Sequence, residues 1–349
     1  MSLVRGALLL LVGVLAVGIG TPPAGSAVLA APAGAEPAAP LPQLRPVRMG
    51  MILTSGGAPL YLAQERGWFA AEGIEWQYEP LQVTSEALAQ VGTGNLEIAN
   101  VTIGAAVLNS IVRGVDVKII AGNSNYPPNG AGINAMMVRR DLYDSGVTDA
   151  SGLRGRKVAG NALGVFTEYA IDKAMRTAGM TIDDVEFVAM PFPDMPAGFA
   201  NRAIDAGFVI EPSVTVSRLQ GTAVQIVPEW LQGAQETVLM GGPTLLRDRA
   251  LAEAFLRVYL RGVRTVQAEG FTPEIAALIE RYTRVSPELV QQIRPPYWDP
   301  DARVNWDSLM DQQTFYMARG SATYSEPLDL PRVLGEDGPR QAAVASLGR

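Results

Sequence analysis

Val47-Arg48-Met49-Gly50-Met51-Ile52-Leu53 runs into Thr54-Ser55-Gly56-Gly57-Ala58-Pro59 and then into Leu60-Tyr61-Leu62-Ala63-Gln64-Glu65-Arg66-Gly67-Trp68-Phe69. A mostly apolar run stopped by a turn of small residues, then Leu60, Ala63 and Phe69 at helical spacing, reads as strand, loop, helix. The alternation continues downstream. Glu72-Gly73 stops the helix, and residues 74–78 alternate as a second strand. Thr84 and Ser85 precede a short helix over 86–91, where their hydroxyls can accept from the free amides of the first turn. Residues 96–99 read as a third strand, 102–112 as a helix opened by Thr102, and 117–121 as a fourth strand. Such repeated alternation predicts a mainly parallel sheet covered on both faces.

A second alternating unit follows. Residues 133–138 and the strand ending Lys157-Val158-Ala159 lead through a loop at 160–164 to a helix over 167–178, closed by Gly179 in the left-handed stop position. Strand, helix and strand then fall at 185–190, 197–204 and 206–210, and residues 237–246 read as a strand returning from the unit. The remainder is helical, with apolar spacing of three and four over 249–269, 273–282, 287–293 and 305–318. One unit inserted into another makes the chain cross twice, so the expected architecture is α/β with two lobes. The first comprises residues 47–134 and 238–345 and the second residues 135–237, each a mainly parallel sheet flanked by helices, with two crossing strands as a hinge.

Residues 1–35 carry a single charge, Arg5, then an apolar run from Gly6 to Gly20 and small residues and prolines up to Ala33-Gly34-Ala35. That is the layout of a cleavable secretory signal, with cleavage after Ala27 or Ala31 also open. The run is short for a membrane span, which needs about 20 residues. Residues 36–46 read as a flexible lead rich in Pro and Ala. Without Arg5 the chain has 27 basic and 35 acidic side chains, a formal charge of −8, which argues against nucleic acid or anionic lipid as a partner. The sequence has no cysteine and no histidine. Disulfides, thiolate nucleophiles, imidazole bases and zinc sites built on imidazole are therefore excluded, and only Lys118, Lys157 and Lys173 supply amines. An exported chain with no lipid anchor and no later membrane span is expected in a periplasm, as a monomer.

Several segments carry a resemblance in order along the chain: Ala58-Pro59-Leu60-Tyr61-Leu62-Ala63-Gln64-Glu65-Arg66-Gly67-Trp68-Phe69, Gly94-Asn95-Leu96-Glu97-Ile98-Ala99, Leu153-Arg154-Gly155-Arg156-Lys157-Val158, and Ala203-Ile204-Asp205-Ala206-Gly207-Phe208 followed by Glu211-Pro212. In these the sequence resembles the periplasmic binding proteins that handle nitrate, alkanesulfonates, taurine and thiamine-precursor pyrimidines. Glu97 departs from the usual Asp of that family. The resemblance implies a type II periplasmic binding protein fold, a small-molecule ligand held between the lobes, an ABC-type permease as partner and no cofactor. It also implies that ligand contacts come from loops at the carboxyl ends of strands, in agreement with the general rule for open α/β sheets. Two rivals are a ligand-sensing module for a membrane receptor and a pyrimidine-making enzyme; relatives of the latter kind resemble one another in using His and Cys residues that this chain lacks.

Helix starts offer free amides to a carbonyl or anionic group, which makes Ser55, Gly57, Thr84, Asn100, Thr102 and Asn161 candidate ligand-binding residues. Each has a plain reading beside it: a tight turn for Ser55 and Gly57, helix caps for Thr84 and Thr102, and turn residues for Asn100 and Asn161. Tyr126 and Phe166 are candidates for stacking on a flat ligand, as Tyr169, Phe192 and Trp230 would be if they were not core. Trp68 and Phe69 read as core. Glu168 reads as a carboxylate favouring the dipole of its helix start. Glu211 is the last candidate, and a ligand-facing carboxylate there would favour an amine or a heterocycle over sulfonate or nitrate.

Overall fold

The computed structural model describes residues 39–348 apart from 82, 83 and 131, and the side chains of residues 84–86 also fall outside the description. The expected leader, 1–35, lies outside the described residues, as do the first residues of the lead. Among the described residues no helix is long and apolar enough to cross a membrane.

Strand β1 (Arg45–Met51) lies between β2 (Ile74–Pro80) and β3 (Ile98–Thr102), parallel to both. Val47, Met49 and Met51 point to one face, where the helix Arg249–Glu269 covers them, so the period-two alternation of the strand meets the 3.6 period of the helix in one dry layer. On the other face Arg48 pairs with Glu97. The Glu97 carboxylate accepts from the Arg48 backbone amide at 2.7 Å and from its guanidinium at 2.7 and 3.1 Å. The Glu at the position where the family usually has Asp thus ties β1 to the approach of β3.

The first sheet is completed by β4 (Lys118–Gly122) and β10 (Thr237–Gly241), in the order β2-β1-β3-β10-β4, with β10 antiparallel to both neighbours. The second sheet repeats the plan with β5 (Ala135–Arg139), β6 (Lys157–Gly160), β7 (Glu186–Ala189), β8 (Ala206–Val209) and β9 (Ala223–Ile226) in the order β7-β6-β8-β5-β9. There β5 is the antiparallel member. Each sheet is therefore mainly parallel with one reversed strand, the α/β arrangement expected from the sequence.

The chain crosses between sheets at 123–134 and at 227–236. The two crossings run antiparallel and are joined backbone to backbone: Asn123 N donates to Thr237 O, Tyr126 N to Ala234 O, and the amides of Glu236 and Thr237 both to Ser124 O, all between 2.9 and 3.1 Å. An isolated bridge pairs Asn125 with Gln235. Late in the chain, the helix Trp306–Ala318 spans the two sheets. Gln312 donates to the Gln235 carbonyl, Asp311 accepts from Tyr169 and Lys173, and Arg319 pairs with Glu168 and Asp183.

Several elements differ from expectation. The first helix is two helices, Ala58–Glu65 and Trp68–Ala71, because Gly67 adopts φ of 68° between them. Trp68 and Phe69 are buried as expected. Thr102 ends β3 instead of opening a helix; the helix Ala105–Val112 starts after Gly104 without a side-chain cap. Residues 237–246 divide into β10 and a short helix, Pro243–Leu246. The helix Ser213–Leu219 and strand β9 were not anticipated. Alternating Val and Thr in Ser213-Val214-Thr215-Val216-Ser217 has β character, and its helical state is set by packing on the sheet.

Gly262 marks a close helix approach, since a Cβ there would collide with the Pro59 carbonyl oxygen. In an exposed helix Gly→Ala stabilises by up to about 1 kcal/mol. Gly262→Ala is expected to do the reverse, lowering stability by about 1–3 kcal/mol through overpacking, and urea unfolding of the two proteins checks the sign.

Candidate functional site

Parallel strands put their carboxyl ends on one edge of a sheet, and a reversed strand puts its amino end on that same edge. In the first sheet this edge collects Thr54 to Gly56 after β1, Asn100 and Thr102 of β3, Asn123 and Ser124 after β4, and Glu236 and Thr237 at the start of β10. In the second it collects Asn161 and Ala162 after β6, Phe192 after β7, Ile210 and Glu211 after β8, and Ile133 and Asn134 before β5. The two edges enclose one cavity of about 440 Å³. At its rim the Ala105 amide of the first lobe donates to the Gly164 carbonyl of the second at 3.0 Å.

Of the nine residues singled out in the sequence, Ser55, Asn100, Thr102, Asn161, Phe166 and Glu211 line this cavity. Gly57 does not. It is buried against the Tyr61 ring, where a Cβ would collide, so its glycine serves packing. Tyr126 does not line it either. It is 2% exposed, with its ring centroid 6.1 Å from Phe166 and 6.3 Å from Trp230, inside the core shared by the lobes. The Thr84 side chain lies outside the described residues. Phe192 joins Phe166 in the lining. Tyr169 and Trp230 are occupied elsewhere, donating to Asp311 and to the Ala170 carbonyl. Glu168 accepts from the Gly164 amide at 2.7 Å and pairs with Arg319, so it holds the loop after β6 and does not line the cavity.

Three acceptors stand out in the polar lining. Asn100 Oδ1 is buried without a hydrogen-bond partner. Glu211 accepts from the backbone amide and hydroxyl of Thr215 at 3.0 and 2.9 Å. Burial pushes its carboxyl above the ordinary value, and the Thr215 bonds and the nearby guanidiniums of Arg218 and Arg294 only partly offset this. Neither arginine is in the lining, and among the described lining residues there is no Arg or Lys. Glu236 is the second carboxylate. Its Oε2 accepts from Ser124 Oγ at 3.0 Å and its Oε1 from Asn134 Nδ2 at 2.6 Å. Protein surrounds it, yet it keeps some accessible surface because it faces the cavity. Burial pushes its pKa up to about 7 against these two bonds.

Glu236, Asn134 and Thr237 escaped the sequence reading because attention to carboxyl ends of strands passes over the starts of reversed ones. The signal was present: an acidic residue directly before an apolar strand that returns from an inserted unit.

Residues 55–269 match the family model described as NMT1/THI5 like, which is more than half of the chain. The chain belongs to the NMT1/THI5-like family. Relatives of the family include a Bacillus subtilis protein named "Putative aliphatic sulfonates-binding protein", 26% identical over 63% of this chain and 65% of its own length. The riboflavin-binding protein RibY of Chloroflexus aurantiacus is 26% identical over 66% of each chain. The 4-amino-5-hydroxymethyl-2-methylpyrimidine phosphate synthase of Aspergillus parasiticus is 28% identical over 49% of this chain and 47% of its own. The chain thus spans just under two thirds, or less, of the length of these relatives. The periplasmic aliphatic sulphonate binding protein SsuA from Escherichia coli superposes with a TM-score of 0.67 at 16% identity, covering 84% of this chain and 92% of that one. At that identity the likeness establishes the fold alone, which is that of the periplasmic binding proteins.

Glu236 has a consequence for stability. A carboxyl raised from 4.5 to about 7 in the folded state holds its proton more tightly there than in the unfolded chain. Its contribution is fully present below about pH 4.5 and is lost as pH rises through about 7, by something on the order of 1–3 kcal/mol. Glu236→Gln, which imitates the protonated form, is expected to match the parent in Tm at pH 4 and to exceed it at pH 8; calorimetric melting at the two pH values reads the difference.

Proposed function

We propose that this chain is the extracytoplasmic capture component of an ABC importer. It leaves the cytoplasm by the leader at residues 1–35, works in the periplasm, and takes a small organic solute between its two lobes for delivery to a membrane permease. The reading draws on family membership, on the fold shared with periplasmic binding proteins, and on a cavity of a size suited to a small ligand and mostly walled by apolar and uncharged polar side chains. In this reading the chain binds its ligand without converting it. A sequence without His or Cys has neither an imidazole base nor a thiolate for chemistry on a pyrimidine ring.

The observation that carries the ligand preference is the pair of carboxylates, Glu211 and Glu236, in a lining without Arg or Lys. A sulfonate or nitrate ion would meet two acids and an unpartnered amide oxygen with no Arg or Lys among the described lining residues, and desolvating an anion against acceptors is costly. A ring bearing N–H donors meets the opposite situation: each donor finds an acceptor, and Phe166, Phe192 and Phe208 offer apolar surface to its faces. Capture follows if the ligand touches both lobes and so stabilises their approach. Ser55 and Asn100 from the first lobe and Asn161 and Glu211 from the second are the residues we assign to those contacts.

The test is differential scanning fluorimetry of the purified chain with riboflavin, 4-amino-5-hydroxymethyl-2-methylpyrimidine, ethanesulfonate and nitrate. A ligand present at about 100 times its Kd stabilises the native state by about 2.7 kcal/mol, a readily seen rise in Tm. A rise with a ring compound and none with the two anions is the expected result; a rise with ethanesulfonate or nitrate alone would overturn the ligand preference.

A further inference from the structure

Glu236 stands where the two crossings and the cavity meet. Its own residue closes the second crossing, its Oε2 is held by Ser124 just after β4 of the first sheet, and its Oε1 by Asn134 just before β5 of the second. Ser124 in turn accepts from the backbone amides of Glu236 and Thr237, so the carboxylate is fixed at both ends and cannot swing away from the cavity wall. A carboxylate can accept about four hydrogen bonds, and the protein supplies two. The remaining capacity belongs to whatever enters the cavity.

We propose that Glu236 is the residue that selects the ligand, by requiring a cationic or amidine-like nitrogen group against the hinge wall. The proposal rests on the reading of the cavity as a solute site and goes beyond it in naming the charge of the group bound and the residue that reads it. A cation stabilises the ionised carboxylate, so the proton held in the empty site must leave when the cation arrives. The titratable neighbours do not reverse this sign. Tyr126, on the first crossing, has its phenol held well above its ordinary value, by burial first and by the Glu236 carboxylate second, and stays neutral. Glu211, the other acid of the lining, also has its carboxyl raised by burial, with Arg218 and Arg294 on its side pulling the other way. Ser124, Asn134, Asn100 and Thr102, from the first crossing, the approach to β5 and β3, carry no charge. With the carboxyl poised near 7, both forms are populated at neutral pH, which makes the coupling measurable.

Three matched probes differ mainly in charge: benzamidine is cationic, benzamide neutral and benzenesulfonate anionic. Isothermal titration of the full chain at pH 6 and pH 8 is expected to show benzamidine binding about tenfold more tightly at pH 8, as follows for a carboxyl near 7 that must ionise, and benzenesulfonate not binding at either. Comparing enthalpies in phosphate and Tris at pH 7 is expected to show about half a proton released per benzamidine bound. This measurement needs no variant. Glu236→Gln is expected to weaken benzamidine at pH 8 and to flatten its pH dependence. Benzamidine binding that is unchanged by Glu236→Gln would overturn the proposal, as would a failure of benzamidine to bind. Benzenesulfonate binding unaffected by Glu236→Gln would overturn it too, but would leave solute capture standing.

Discussion

The backbone pairing of the two crossings governs the rest of this molecule. Ser124 O takes the amides of both Glu236 and Thr237, and Asn123 and Tyr126 donate back to Thr237 and Ala234. That short ladder fixes the direction in which the chain re-enters the first sheet, so β10 slots antiparallel between β3 and β4. Once β10 is reversed, its amino end sits beside the carboxyl ends of its neighbours, and the same logic at β5 mirrors it in the second sheet. The cavity is a consequence: the loops after β1, β4, β6, β7 and β8 reach it because a strand end was delivered to one of two facing edges.

The same pairing explains the chemistry of the cavity. A buried carboxylate is costly unless it is hydrogen-bonded, and Glu236 is tolerated because the paired crossings bring Ser124 and Asn134 to its two oxygens. Glu211 is tolerated because Thr215, one turn into the following helix, supplies an amide and a hydroxyl. Among the described residues no salt bridge joins Glu236, and the guanidiniums of Arg218 and Arg294 offset the burial of Glu211 only in part. Relatives named for sulfonates and for riboflavin both match this chain in sequence, which agrees with the general observation that specificity resides in a handful of side chains grafted onto a common frame.

The helix Trp306–Ala318 adds a second link between the lobes. It belongs to the last third of the chain, yet Asp311 accepts from Tyr169 and Lys173, and the Arg319 just beyond it pairs with Glu168, on the helix that follows β6. Glu168 also holds the Gly164 amide at the rim of the cavity. The loop that bounds the cavity on the second lobe is thereby tied to the end of the helix Trp306–Ala318, a connection that runs through 151 residues of sequence separation between Arg319 and Glu168.

The sequence by itself determined the α/β class, the insertion of one alternating unit into another, the family, and those cavity-lining residues that follow parallel strands, such as Ser55, Asn161 and Glu211. These were legible because apolar periodicity, glycine punctuation and small-residue turns are local properties. The tertiary structure alone decided that Gly57 and Tyr126 are packing residues, that Thr102 ends a strand, that Ser213–Leu219 is helical despite its β-branched run, and that Glu236 faces the cavity. Each of those outcomes depends on what another part of the chain brings alongside: the Tyr61 ring, the shared core of two lobes, the register of β10, the pairing of two crossings. Contacts between residues more than a hundred positions apart leave no period in the sequence, and that is why the second carboxylate of the site emerges only once the sheets are assembled.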